Sequence, residues 1–200
     1  MNLDTQHSSN TTALKTIFAI LGSASTNSAN EKLLRHLAHE IKHQFQLTIF
    51  DGLKTLPHFD PELSVTDPPP SVVAFRTAIE KADGVLICTP EYVFSVPSGL
   101  KNAIEWCVAT TVFTDKPTAL ITASAHGQKG HEELQLLMQT LSAKFTGETT
   151  LLINGIKGKI TASGEINDAH LKEDLHQLTT ALMHLIGNNS PAVEAFDAPA

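Results

Sequence analysis

The sequence predicts an α/β domain built on a five-stranded parallel sheet of order 2-1-3-4-5, held between helices as a three-layer sandwich. Three observations predict it. Short apolar runs without polar alternation recur along the chain, the mark of strands covered on both faces. Stretches with apolar residues at helical spacing separate these runs, and right-handed crossovers then place successive helices on both faces of the sheet. The segment 89–106 supplies the third. A buried-strand pattern stops at Pro90 and a helix opens near Pro97, leaving backbone amides and the side chains of Glu91, Tyr92 and Phe94 at the strand end, where an open α/β sheet holds its ligand.

Taken in order, residues 15–21 read as the first strand, and 30–45 as a helix with Leu33, Leu34, Leu37, Ala38, Ile41 and Phe45 on one stripe. Residues 47–50 form the second strand. The stretch 51–70 is rich in proline and acidic residues and reads mostly as loop, with a packed centre at 56–60. A helix over 72–82, a strand over 84–89, a helix over 99–109 and a strand over 117–122 follow. The next helix, 130–145, carries Leu134, Leu137, Met138 and Leu141 on one face. A fifth strand over 149–153, turns marked by Gly155, Gly158 and Gly164, and a last helix over 168–186 complete a domain spanning 15–186. Flexible tails are expected over 1–14 and 187–200. Five such units make a flavodoxin-like sheet.

Composition narrows the function. Two hundred residues with 42% hydrophobic content suffice for one domain with a sizeable core. A formal charge of −7, with Arg35 and Arg76 as the only arginines, argues against a nucleic-acid binder. Cys88 lies in an apolar strand and Cys107 in a helix, so both read as core thiols rather than a disulfide framework, and a cytoplasmic location is expected. The stretch 1–12 has neither the basic start nor the apolar run of a signal peptide, and no segment reads as membrane-spanning.

The loop after the first strand, 22–30, is a glycine followed by a hydroxyl-rich turn that ends where a helix begins. Free amides and the helix dipole favour a phosphate there, and Ser23, Ser25 and Ser28 can donate without adding charge. The plainer alternative is that serine and asparagine merely cap the helix. In a 2-1-3-4-5 sheet the first and third strands meet at the reversal point, so this cradle and the Pro90 ledge open onto one crevice. A phosphate at one and a planar ring at the other describe a mononucleotide. The loop after the fourth strand, with Ser124, Gly127 and Gly130, would let backbone amides approach the ring.

These residues resemble the NADPH-dependent FMN reductase family, which includes quinone, azo-dye and chromate reductases. Gly22, Ser23, Ser28 and Asn30 match its first loop, Gly-Ser-x-Arg-x-x-Ser-x-Asn. Pro90, Glu91, Tyr92, Ser95, Pro97, Leu100, Lys101, Asn102, Ala103 and Trp106 match its second, and Ser124, Gly127 and Gly130 loosely match its third. The resemblance implies FMN as cofactor, NADPH or NADH as electron donor, a small-molecule electron acceptor and a homodimer or homotetramer. It implies phosphate contacts from Ser23, Ser25, Ser28 and Asn30, ring contacts from Pro90, Glu91, Tyr92, Val93, Ser124 and Gly127, and no catalytic side chain, since the flavin carries the chemistry. Four positions depart from the pattern, Glu105 for an aspartate being the mildest. Ser25 replaces the arginine and removes a charge-assisted bond to phosphate, which predicts weaker FMN retention. Val93 replaces an asparagine, and Phe94 adds an aromatic that could line the ring pocket or meet a partner subunit.

His39, Glu40 and His43 match the spacing of a zinc-protease helix, but the apolar stripe sets them on the solvated face, away from any cleft. Lys157 and Lys159 read as solvated turn residues, and Lys101 and Asn102 as structural within the ledge helix. Two other functions stay open: a flavodoxin-like FMN electron carrier fed by a protein partner, and a flavin-free interaction protein on the same fold.

Overall fold

Strand alternation builds both faces of the core at once. In the computed structural model, which describes residues 14–188, β1 (Lys15–Leu21) sends Ile17, Ala19 and Leu21 to one face of the sheet and Phe18 and Ile20 to the other. It pairs in parallel with β2 (Phe45–Phe50) and β3 (Gly84–Thr89), Ile17 lying opposite Leu47 and Gly84. Beyond β3 come β4 (Thr118–Ser124) and β5 (Thr150–Asn154), also parallel, giving the order 2-1-3-4-5. Helices α1 (Ala29–Glu40) and α6 (Ala169–Asn188) cover the first face through Leu33, Leu37, Leu171 and Leu182. Helices α3 (Pro70–Lys81), α4 (Ser98–Glu105) and α5 (Gln128–Thr140) cover the second through Phe75, Ile79, Leu100, Leu134 and Met138. The fold is thus the three-layer α/β sandwich with the expected strand order.

The helix expected over 30–45 ends at Glu40. The chain turns through 41–44, and Phe45 opens β2 while packing into the same cluster as Leu33 and Leu37. The apolar period continued past the helix because both elements feed one core. The stretch expected as loop holds a short helix, α2 (Pro61–Thr66), started by Asp60, whose carboxylate accepts from the N–H groups of Glu62 and Leu63 at 2.9 and 3.0 Å, and by Pro61 in the first turn. The helix expected to reach 145 stops at Thr140, because Lys144 pairs with the chain entering β4. The last helix runs to Asn188, so the expected loose start at 187 is still helical; the rest of both tail expectations, apart from Leu14, lies outside the described residues.

Asn102 and Trp106 tie the chain before α2 to the ledge helix α4. Phe59 N–H donates to Asn102 Oδ1 at 2.7 Å, while Asn102 Nδ2 and Trp106 Nε1 donate to Pro57 O at 2.9 and 2.8 Å. Phe59 meets the buried Trp106 edge-on, ring centres 5.4 Å apart. Arg76 adds bonds to Ser64 and to Trp106 O. No helix among the described residues is long and apolar enough to cross a membrane.

Candidate functional site

The C-terminal ends of β1, β3, β4 and β5 deliver four loops to one edge of the sheet. Gly22 N–H donates to Cys88 O at 2.8 Å, drawing the first loop against the end of β3. A Cβ on Gly22 would lie 2.3 Å from Thr89 Oγ1, so only glycine permits this approach. Ser28 caps α1, its Oγ accepting from Glu31 N–H at 3.1 Å, and Glu31 in turn accepts from Asn27 N–H at 2.8 Å. Ser23, only 5% exposed, accepts from Ser25 N–H at 3.3 Å. Both serine hydroxyls therefore keep a proton to donate.

Asn30 also braces the loop. Its Nδ2 donates to Ala123 O at 3.0 Å and its Oδ1 accepts from Cys88 Sγ at 3.3 Å, bolting α1 to β3 and β4 beneath the crevice. Its side-chain amide, expected on a phosphate, keeps one further N–H, and Asn30 borders the cavity. Burial pushes the Cys88 thiol well above its ordinary pKa and that of Cys107 up to about 12, so neither is a nucleophile.

The ledge after β3 is a two-residue hairpin. Tyr92 N–H donates to Ser95 O at 2.9 Å and Ser95 N–H to Tyr92 O at 3.1 Å. Its tip, Val93 and Phe94, has φ of 53° and 59°, the arrangement of a type I′ turn. Val93 is 94% exposed and Phe94 77% exposed, and neither borders the cavity. Two carboxylates clamp the hairpin to α5. Glu91 Oε2 accepts from Gly130 N–H at 2.8 Å, while Glu133 Oε2 accepts from Ser95 Oγ at 2.6 Å and Val96 N–H at 2.9 Å. The Glu91 carboxylate, from a position expected around the ring, thus serves the helix start. Gly127, expected beside the ring, precedes α5 with φ of 90°, and a Cβ there would lie 2.9 Å from Leu152. Its part is conformational.

Between the loops lies a cavity of about 930 Å³, within the span of small-molecule sites. Of the expected contacts, Ser23, Ser25, Ser28, Asn30, Pro90, Tyr92 and Ser124 border it, while Glu91, Val93 and Gly127 do not. Sequence reasoning missed its outer wall, 155–162, together with Asn27, Lys32 and Ala125. Lys157, read as a solvated turn residue, borders the cavity; Lys159 is instead held by Asp168 at 2.6 Å. The signal was in the strand order, which sets the end of β5 beside that of β4. The wall is well fixed, with Ile156, Ile160 and Ile166 in the core and Ile160 bridged to Ile166. The zinc-protease spacing breaks on the fold, since α1 ends at Glu40 and His43 lies in the turn beyond.

A family model described as NADPH-dependent FMN reductase matches residues 16–156. The chain is 32% identical to an NADPH:quinone oxidoreductase of Arabidopsis thaliana, over 86% of this chain and 93% of that protein. It is 31% identical to the CrdA subunit of NADH:(hydroxy)cinnamate reductase from Vibrio ruber, over 80% of this chain and 81% of that one. In fold it is similar to the flavoenzyme NAD(P)H:(acceptor) oxidoreductase FerB of Paracoccus denitrificans, with a TM-score of 0.71 at 24% identity, covering 88% and 98% of the two chains.

Proposed function

The chain belongs to the NADPH-dependent FMN reductase family, and from that premise we propose how its crevice works as the site of an FMN-dependent NAD(P)H oxidoreductase. One observation carries the reading: a neutral, proton-donating cradle at a helix start and a rigid ledge border the same cavity. The residues fit FMN, because a buried serine hydroxyl, a capping serine and the first amides of α1 suit a phosphate, and an open apolar wall suits a ring. When bound, FMN supplies acceptance of hydride from nicotinamide and delivery of electrons to the second substrate.

The chain's own residues bind and orient. Ser23, Ser25 and Ser28 donate to the phosphate, with Asn30 holding their loop in place from below. Pro90, Tyr92 and Ser124, which line the cavity, would border the ring. Tyr92, 46% exposed, lines the cavity where nicotinamide and acceptor would meet the flavin in turn. The acceptor is a quinone-type small molecule, as the name of the Arabidopsis relative suggests. The exposed apolar side chains of Val93, Phe94, Val108 and Leu136 support assembly as a homodimer or homotetramer, and the two free buried thiols support a cytoplasmic setting.

A spectrum of the purified protein should show bound flavin that bleaches anaerobically on addition of NADPH or NADH. Failure of both nucleotides to reduce the flavin would overturn the reading. The Vibrio ruber relative, named as a subunit of a reductase, favours a second reading in which electrons pass to a protein partner. Nicotinamide-driven bleaching without turnover on any quinone would point that way.

A further inference from the structure

The phosphate end of the crevice lacks the arginine that its loop pattern would provide, and the chain's two arginines cannot supply it. Arg35 is committed to Glu31, with Nε and Nη2 at 3.0 and 2.9 Å from the same oxygen. Arg76 is tied to Ser64 and Trp106 in the layer covering the opposite face. Two lysines nevertheless border the cavity, Lys32 from the second turn of α1 and Lys157 from the wall after β5. Among the described residues neither ammonium has a hydrogen-bond or ion-pair partner, as is also true of Lys54, Lys81 and Lys172, but of the described lysines these two alone border the cavity.

We propose that Lys32 and Lys157, from facing walls of the crevice, together carry the charge on the FMN phosphate that an arginine at position 25 would otherwise carry. The assignment rests on the reading of the crevice as an FMN site. Lys32 follows the capping serine by one turn, its N–H donating to Ser28 O at 3.0 Å, so its stem starts beside the serine cradle. That stem also lies near the turn just beyond the outer wall, for a Cβ on Gly164 would lie 3.7 Å from Lys32 Cβ. Lys157 sits on that same wall, fixed by Ile156 and Ile160 in the core and by the Lys159–Asp168 pair. The nearby Glu31 does not cancel the charge, because its oxygens already accept from Arg35 and from Asn27 N–H. Two point charges also differ in kind from one forked guanidinium: they attract phosphate strongly but fix its orientation less. Retention of FMN should therefore depend steeply on salt.

The experiment is equilibrium binding of FMN and of riboflavin, which lacks the phosphate, to the full chain and to Lys32→Gln, Lys157→Gln, the double variant, and the double variant carrying Ser25→Arg. Each single change should weaken FMN about tenfold or more while leaving riboflavin within about twofold. The double variant should lose most of the salt dependence, and Ser25→Arg should restore FMN affinity about tenfold. Unchanged FMN affinity in the double variant, or equal losses for FMN and riboflavin, would overturn the proposal. So would intact FMN binding with KM raised for NADPH and not for NADH, which would assign the lysines to the nucleotide donor. A wild-type chain that binds neither flavin overturns the FMN reading itself, and this assignment with it.

Discussion

Val93 occupies a backbone conformation that a β-branched residue adopts at a cost, and with 94% of its surface in water it has little packing to offset that cost. An asparagine suits the first central position of a type I′ turn far better. Val93→Asn should raise stability by about 1 kcal/mol, read from the urea midpoint; a loss would show that the valine makes contacts the exposed turn does not suggest. The same position separates two kinds of information in the sequence. The motif made Val93 conspicuous, yet what distinguishes it is a φ angle, which residue types reveal only through the turn that encloses them. Asn30 and Glu91 were conspicuous for the same reason. Their side chains proved to be fasteners, because a loop that must present hydroxyls and amides to a ligand needs its larger polar groups turned inward to hold it.

Helix α5 is more than a crossover. Its Glu133 takes two hydrogen bonds from the ledge, and Val96, whose N–H is one donor, is buried. Glu133→Ala leaves that N–H unpaired and should cost about 1–3 kcal/mol, with faster amide exchange concentrated at 92–96; Glu133→Gln should keep most of the stability. Uniform acceleration across the sheet would argue against a local clamp. Elements such as β1, β3 and β4 were legible because they are buried on both faces and read as largely apolar runs without polar alternation. Helix α2 was not, since six residues carry little periodicity, although Asp60 before Pro61 is a start signal in its own right. The wall after β5 was missed because its glycines mark turns, and turns reveal direction only once the sheet is built.

Acid should destabilise the whole molecule in two separate windows. His131 is buried in the first turns of α5 with Nδ1 3.0 Å from Thr122 Oγ1, and burial lowers its pKa from 6.5 despite the opposing charge of Glu132. The unfolded chain therefore takes up that proton more readily, so stability is full above 6.5 and falls as pH drops below it. Asp83 acts lower on the scale. Burial would raise its pKa, but bonds from the Thr16 N–H and hydroxyl and from Lys15 outweigh this and bring it below 3.8. Its contribution is present above 3.8 and is lost as pH falls through the folded value. Unfolding free energies measured across pH should show His131→Gln flattening the slope from about pH 7 to 5, and Asp83→Asn flattening it only below about pH 4. At this scale the sequence was at its most readable: strand order and layering follow from alternation and crossover handedness, which depend on no single residue.

The two thiols sit on opposite sides of one sheet, Cys88 in the cluster beneath α1 and α6 and Cys107 in the cluster beneath α3, α4 and α5. Neither is accessible or readily ionised in the folded chain. A thiol-modifying reagent is thus a pair of stopwatches, one per layer, that run only while that layer is open. Cys88 hangs from Asn30 under the crevice, so a ligand seated there should slow its modification more than that of Cys107. Equal slowing would mean that the two layers part only together.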